Sequence, residues 1–242
     1  MSTTHRRRLL KVCGITRARD LEVCLALGVD AVGLNLWPGS KRYLDDAKAR
    51  ALLDAFPAPS VGALRVGVFV DPDPDELLAA VRRFRLEAVQ LHGDAPPERY
   101  AALGLPWIWV LRGTPALDRL DPPNPLPTWV LLDADVPGFG GEGRRTDWAW
   151  ARQAVAALSP LPVWLAGGLD PSNARAALDA VQPAGLDVAS GVEVGIPGVP
   201  GVPGIPGIPG IKDAQAIAAM LHICNTHRES VVTTEPPDGD TC

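Results

Sequence analysis

Short apolar segments alternate with amphipathic ones along nearly the whole chain, and this rhythm restricts the fold more than any single residue does. Leu9–Cys13 precedes a helical pattern at Arg17–Leu27, Ala31–Leu36 precedes Asp45–Phe56, and Arg65–Val70 precedes Asp73–Phe84. Ala88–Leu91 leads to Pro96–Leu103. Trp107–Leu111 is followed by Trp129–Leu132, which leads to Asp147–Leu158. Val163–Leu165 then leads to Pro171–Val181, and Leu186–Ala189 to Asp213–Ile223. Continuous apolar runs of this length suit parallel strands buried on both faces. Thr16, Asp73 and Asp170 are expected helix caps. Eight such units in 242 residues predict an α/β chain folded as a (β/α)8 TIM barrel. Alternation by itself also admits a doubly wound open sheet.

Two segments depart from the rhythm. Gly113–Pro127 carries five prolines, which remove amide donors and break helix interiors, so the fifth helix is expected to be weak or missing. Gly195–Gly210 repeats Gly-X-Pro for five triplets. A collagen-like triple helix would trimerise the chain. Five triplets bounded on both sides by barrel segments favour a polyproline-II-like loop insertion after the eighth strand. Residues 1–224 are then expected to form one barrel domain, and the polar segment 225–242 a disordered tail.

A net charge of −5 with mixed signs gives no footprint for nucleic acid, and the basic His5–Arg8 stretch reads as a solvated terminus. No apolar run approaches a membrane span, and Lys11 interrupts the N-terminal apolar segment before it could serve as a secretory signal. Cys13, Cys24, Cys224 and Cys242 are scattered, which predicts free thiols, no metal site and a cytoplasmic location.

Chemistry is expected at the carboxyl ends of the strands. Cys13 closes the first strand and is followed at once by Gly14; Asp133 closes the sixth and is followed by the glycine-rich Gly138–Gly143, which includes Gly141. The seventh and eighth strands exit through Gly167-Gly168 and Ser190-Gly191. Small residues at these two exits expose backbone N–H groups suited to a phosphate. Arg42, in the loop after the second strand, suits a carboxylate. His92 reads as a structural histidine in preference to a ligand contact.

KVCGIT, GSKRY, VGVFV, QLHGD, LLDA, GFGGEG, TDW, LAGGL and DVASGVE occur in this order between Lys11 and Leu221. The ordered set resembles the phosphoribosylanthranilate isomerase family of tryptophan biosynthesis; phosphate loops alone also admit another phosphosugar-binding barrel enzyme, and the Gly-X-Pro tract a non-catalytic barrel with an interaction loop, against which the Cys13 and Asp133 pair speaks. The resemblance implies a cofactor-free Amadori rearrangement of N-(5-phosphoribosyl)anthranilate. It implies Cys13 as general base, Asp133 as general acid, Arg42 as the contact for the substrate carboxylate and Asp187 as a further active-site position. It leaves a monomer or a homodimer open. The sequence departs from the family pattern at Gly39, usually lysine, at Glu142, usually Thr or Ser, and at Thr146, commonly Phe.

Overall fold

Eight parallel strands close on themselves in chain order in the computed structural model, which describes residues 7–54, 62–134, 145–195 and 207–227. They are β1 (Leu9–Cys13), β2 (Ala31–Asn35), β3 (Leu64–Val70), β4 (Ala88–His92), β5 (Trp107–Arg112), β6 (Trp129–Asp133), β7 (Val163–Leu165) and β8 (Gly185–Val188). β1 pairs with both β2 and β8, which completes the barrel and removes the open-sheet alternative. The helices are α1 (Ala18–Leu27), α2 (Asp46–Asp54), α3 (Pro74–Phe84), α4 (Trp148–Ala157), α5 (Ala174–Val181) and α6 (Ala214–Thr226).

The period of two along each strand sorts side chains into two compartments. Leu10, Val12, Leu34, Val89, Leu132, Leu165 and Leu186 point outward and are buried beneath the helices. Each such burial contributes about 1.5–3 kcal/mol. Positions of the other parity fill the barrel: Ala31, Val66, Ala88, Ile108, Leu131, Trp164 and Ala166 form an inner cluster. Trp129 and Trp164 meet there with ring centroids 5.5 Å apart, so the tryptophans expected to fill space do so at these strands. One step further along the same strands the interior turns polar, with Lys11, Cys13, Gln90, His92, Arg112, Asp133 and Asp187.

Local chemistry sets the helix boundaries. The carboxylates of Asp73, Asp147 and Asp213 accept the first amides of α3, α4 and α6. Pro74 opens α3 at the position where no donor is needed. Thr16 does not cap α1. Its hydroxyl donates to the carbonyl of Gly210 at 2.6 Å, and Arg17 stands at the cap without a side-chain bond. Asp170 ties Ser172 in a turn, and α5 begins three residues later than the sequence suggests. The fourth helical pattern forms a 3₁₀ helix, Pro97–Leu103, held between Pro96 and the left-handed Gly104. Between β5 and β6 the described residues make only the 3₁₀ turn Leu117–Arg119, which agrees with the missing fifth helix. α6 continues through Asn225 and Thr226, where a tail was expected, and Cys224 is buried on it. No helix among the described residues is long and apolar enough to cross a membrane.

Candidate active site

All eight strands run the same way, so their carboxyl ends open on one mouth. Cys13 ends β1 and Asp133 ends β6, three strands apart around the ring. Cys13 is a free, partly exposed thiol. Gly33, its neighbour on β2, leaves room for it: a Cβ there would stand 2.7 Å from the Cys13 sulfur. Gly14 adopts φ +73°, and a Cβ there would strike the stem of Arg42. The two glycines flanking this thiol are thus required by close approach on both sides.

Between the two strand ends lies a buried polar chain. The Lys11 ammonium donates to Asp187 Oδ2 at 2.7 Å and to Gln90 Oε1 at 2.8 Å. That contact turns the Gln90 amide nitrogen toward His92 Nε2, 2.7 Å away. Nε2 therefore accepts, and the ring proton sits on Nδ1. Burial, together with the charges of Lys11 and Arg112, lowers the His92 pKa to about 3, so the ring is neutral. Asp187 uses one carboxylate oxygen on Lys11; the other is buried and has no partner among the described residues.

Burial, and secondarily the charge of Asp187, raises the Asp133 pKa to about 6. Its own Oδ1 accepts the N–H of Ala134 at 2.8 Å, which pulls in the opposite direction. Burial also pushes the Cys13 thiol up, and Lys11, Lys212 and Arg42 act against that rise. The ammonium of Lys11 stays protonated because Asp187 and Cys13 offset its desolvation.

Arg42 is buried and paired within the protein. Its Nε and Nη2 donate to the two oxygens of Glu193 at 2.7 and 2.6 Å. Glu193 also receives Lys212 Nζ at 3.1 Å and the N–H of Gly210 at 2.7 Å. Burial raises the Glu193 carboxyl, but Arg42 and Lys212 outweigh it and hold the group below its ordinary value. The Nε–Nη2 edge of the guanidinium is thus occupied by Glu193.

The two glycine-bearing exits lie next to each other in the ring. Gly167 and Gly168 take left-handed φ of +88° and +61°. Thr146, at a position commonly Phe in the resembling family, donates its hydroxyl to the Ala166 carbonyl at 2.9 Å and leaves no space for a side chain at Gly167. At the eighth exit, a Cβ on Gly191 would collide with the carbonyl of Leu169. Among the described residues the N–H groups of Gly168, Ser190 and Gly191 donate to no backbone carbonyl. At Gly39 a side chain would meet the ring of Trp37, which takes the space there. Gly141 and Glu142 lie outside the described residues, as does the rest of Gly138–Gly143.

The sequence reading brought Cys13, Asp133, Arg42, Asp187, Gly167, Gly168, Ser190 and Gly191 to this mouth, and the structure places them there. It did not single out Lys11, Gln90, Glu193 or Lys212. A lysine breaking an apolar strand two positions before Cys13 was the available signal.

The sequence profile of the N-(5'-phosphoribosyl)anthranilate (PRA) isomerase family matches residues 10–200. This chain belongs to that family. A PRA isomerase of Myxococcus xanthus is 45% identical over 188 residues, covering 76% of this chain and 86% of its own. The solved isomerase of Thermus thermophilus shares 35% identity with a TM-score of 0.70, over 89% of this chain and 97% of that one. A further PRA isomerase, 31% identical with a TM-score of 0.67 over 90% of this chain and 97% of its own, was solved in complex with reduced 1-(o-carboxyphenylamino)-1-deoxyribulose 5-phosphate.

Proposed function

We propose that this protein is the isomerase that converts N-(5-phosphoribosyl)anthranilate to 1-(2-carboxyphenylamino)-1-deoxyribulose 5-phosphate in tryptophan biosynthesis, with Cys13 as general base and Asp133 as general acid. The observation that carries the reading is the placement at one mouth of the free thiol that ends β1 and the carboxyl that ends β6, the latter raised to about 6 by burial. An acid of that pKa keeps about a tenth of its protons at pH 7, which is near the optimum for proton donation. Asp133 delivers its proton to the ring oxygen as the furanose opens. The resulting Schiff base acidifies the C2′ proton, which the Cys13 thiolate removes. The enolamine then tautomerises to the ketone.

Substrate is held at both ends so that C1′ and C2′ face the two groups. The amides of Gly168, Ser190 and Gly191, with Gly167, take the phosphate. Arg42 takes the anthranilate carboxylate, and Glu193 fixes the guanidinium from behind. The unpartnered oxygen of Asp187 accepts from a substrate hydroxyl.

The test is a fluorescence assay of phosphoribosylanthranilate loss on wild type, Cys13→Ser and Asp133→Asn. Each substitution is expected to lower kcat by about 10²–10⁴-fold. Near-wild-type turnover by either variant removes its residue from the mechanism.

A further inference from the structure

Lys11 is wholly buried, on the strand that carries Cys13, with its side chain on the same face two residues earlier. Its ammonium lies 2.7 Å from Asp187 on the adjoining strand β8. A buried ion pair seldom adds stability over apolar residues of similar volume, so its presence beneath a reaction mouth asks for another explanation.

We propose that the Lys11–Asp187 ion pair is an oriented electrostatic element, its cationic end against the Cys13 thiol and its anionic end toward the Asp133 carboxyl, and that Lys11 is a positioning residue for the proton transfers. The proposal rests on the assignment of Cys13 as base and Asp133 as acid.

A thiol and a carboxylic acid have the wrong natural order for this task. At neutral pH a free thiol is mostly protonated and a free carboxyl mostly ionised. The reaction needs thiolate and carboxylic acid together, and each unit of separation between them removes about tenfold of that population. An ion pair between them narrows the gap only if it is oriented, because each end must dominate at the nearer group. The charges facing each group have that order. Four reach Cys13: Lys11 is the strongest and favours the thiolate, Asp187 opposes it, and Lys212 and Arg42 also favour it. At Asp133 Asp187 is the strongest and favours the acid form, while Arg112 and then Lys11 oppose it more weakly. The pair thus pulls the base down and pushes the acid up. Gln90 fixes the ammonium from the far side, and the neutral His92 behind it adds no competing charge.

The experiment follows the thiol directly. Alkylation of Cys13 by iodoacetamide is measured from about pH 7 to about pH 12 by mass spectrometry of the Cys13 peptide, which separates it from the buried Cys24 and Cys224. In Lys11→Met/Asp187→Asn, which removes both charges at similar volume, the midpoint is expected to rise by about one unit. In Asp187→Asn alone it is expected to fall, because the Cys13 thiolate becomes the nearest anion left to Lys11. Opposite shifts in two variants are not produced by loosened packing. Midpoints that stay at the wild-type value, or move in the same direction, overturn the proposal. Should the double variant fail to fold, a midpoint in the single variant that does not fall has the same consequence. Normal turnover by Cys13→Ser would instead overturn the assignment of the base.

Discussion

The raised pKa of Asp133 is also a statement about stability. In the folded chain the group titrates near 6, and unfolded it returns to 3.8. Between those values the folded state holds a proton that the unfolded state has released. A proton held more tightly by the folded state means that raising the pH favours unfolding. The stabilisation from the neutral carboxyl is fully present below pH 3.8 and is lost as the pH rises through about 6. A shift of this size corresponds to about 3 kcal/mol at most. Asp133 is only partly shielded at the mouth, so water shares its charge and about 1–3 kcal/mol is expected.

Asp133→Asn removes the ionisation while keeping shape and hydrogen-bonding capacity. Measured by urea unfolding, the variant should match wild type near pH 4 and gain on it up to about pH 7, where its advantage levels off at about 1–3 kcal/mol. The same variant should have lost its turnover, so the residue that limits stability is the one that supports catalysis. An advantage that does not change with pH, or one that shrinks as the pH rises, would refute the reasoning, because it would mean the carboxyl is not held neutral by its surroundings.

Two further outcomes follow from the carboxylate behind Arg42. Glu193→Gln keeps an acceptor but loses the charge that anchors the guanidinium, so KM should rise about tenfold or more, reflecting about 1.5–3 kcal/mol for bonds to a charged group, with kcat little changed. An unaltered KM in the folded variant would mean that Arg42 is held by something else. Glu193 also closes the base of the Gly-X-Pro segment: its carboxylate accepts the Gly210 amide and its backbone bridges antiparallel to Lys212, while Val194 donates to the Ile211 carbonyl and Ile208 to the Val194 carbonyl. Excising residues 197–205 spares that base, so KM should be unchanged and unfolding free energy should shift by less than about 1 kcal/mol; a large rise in KM would show that the segment itself contributes to binding.

The barrel was legible because its rule is local. Parallel strands buried on both faces must be short apolar runs, and the helices between them must cap and turn, so the period switches between two and 3.6 from one element to the next. Where the reading slipped, a distant residue had taken over a local one. Thr16 is a plausible cap until Gly210, far along the chain, takes its hydroxyl. Asn225 and Thr226 look like a polar tail, yet α6 continues through them to His227, whose amide caps its last turn and whose ring reaches Asp179.

The same contrast explains the site. Cys13, Asp133 and the glycine exits could be found because each stands at a strand end, a position that the fold defines in sequence terms. Lys11 is visible in the sequence as an anomaly, a lysine inside a five-residue apolar strand that breaks a hydrophobic segment. Its meaning depends on Asp187, 176 residues away in the chain but adjacent once β1 meets β8. Closure of the barrel therefore does more than bury apolar surface: it brings the first and last strands side by side and sets a cation from one against an anion from the other. A charge in an apolar strand has to find its partner when the sheet closes, and in a barrel the strand that closes it is where to look.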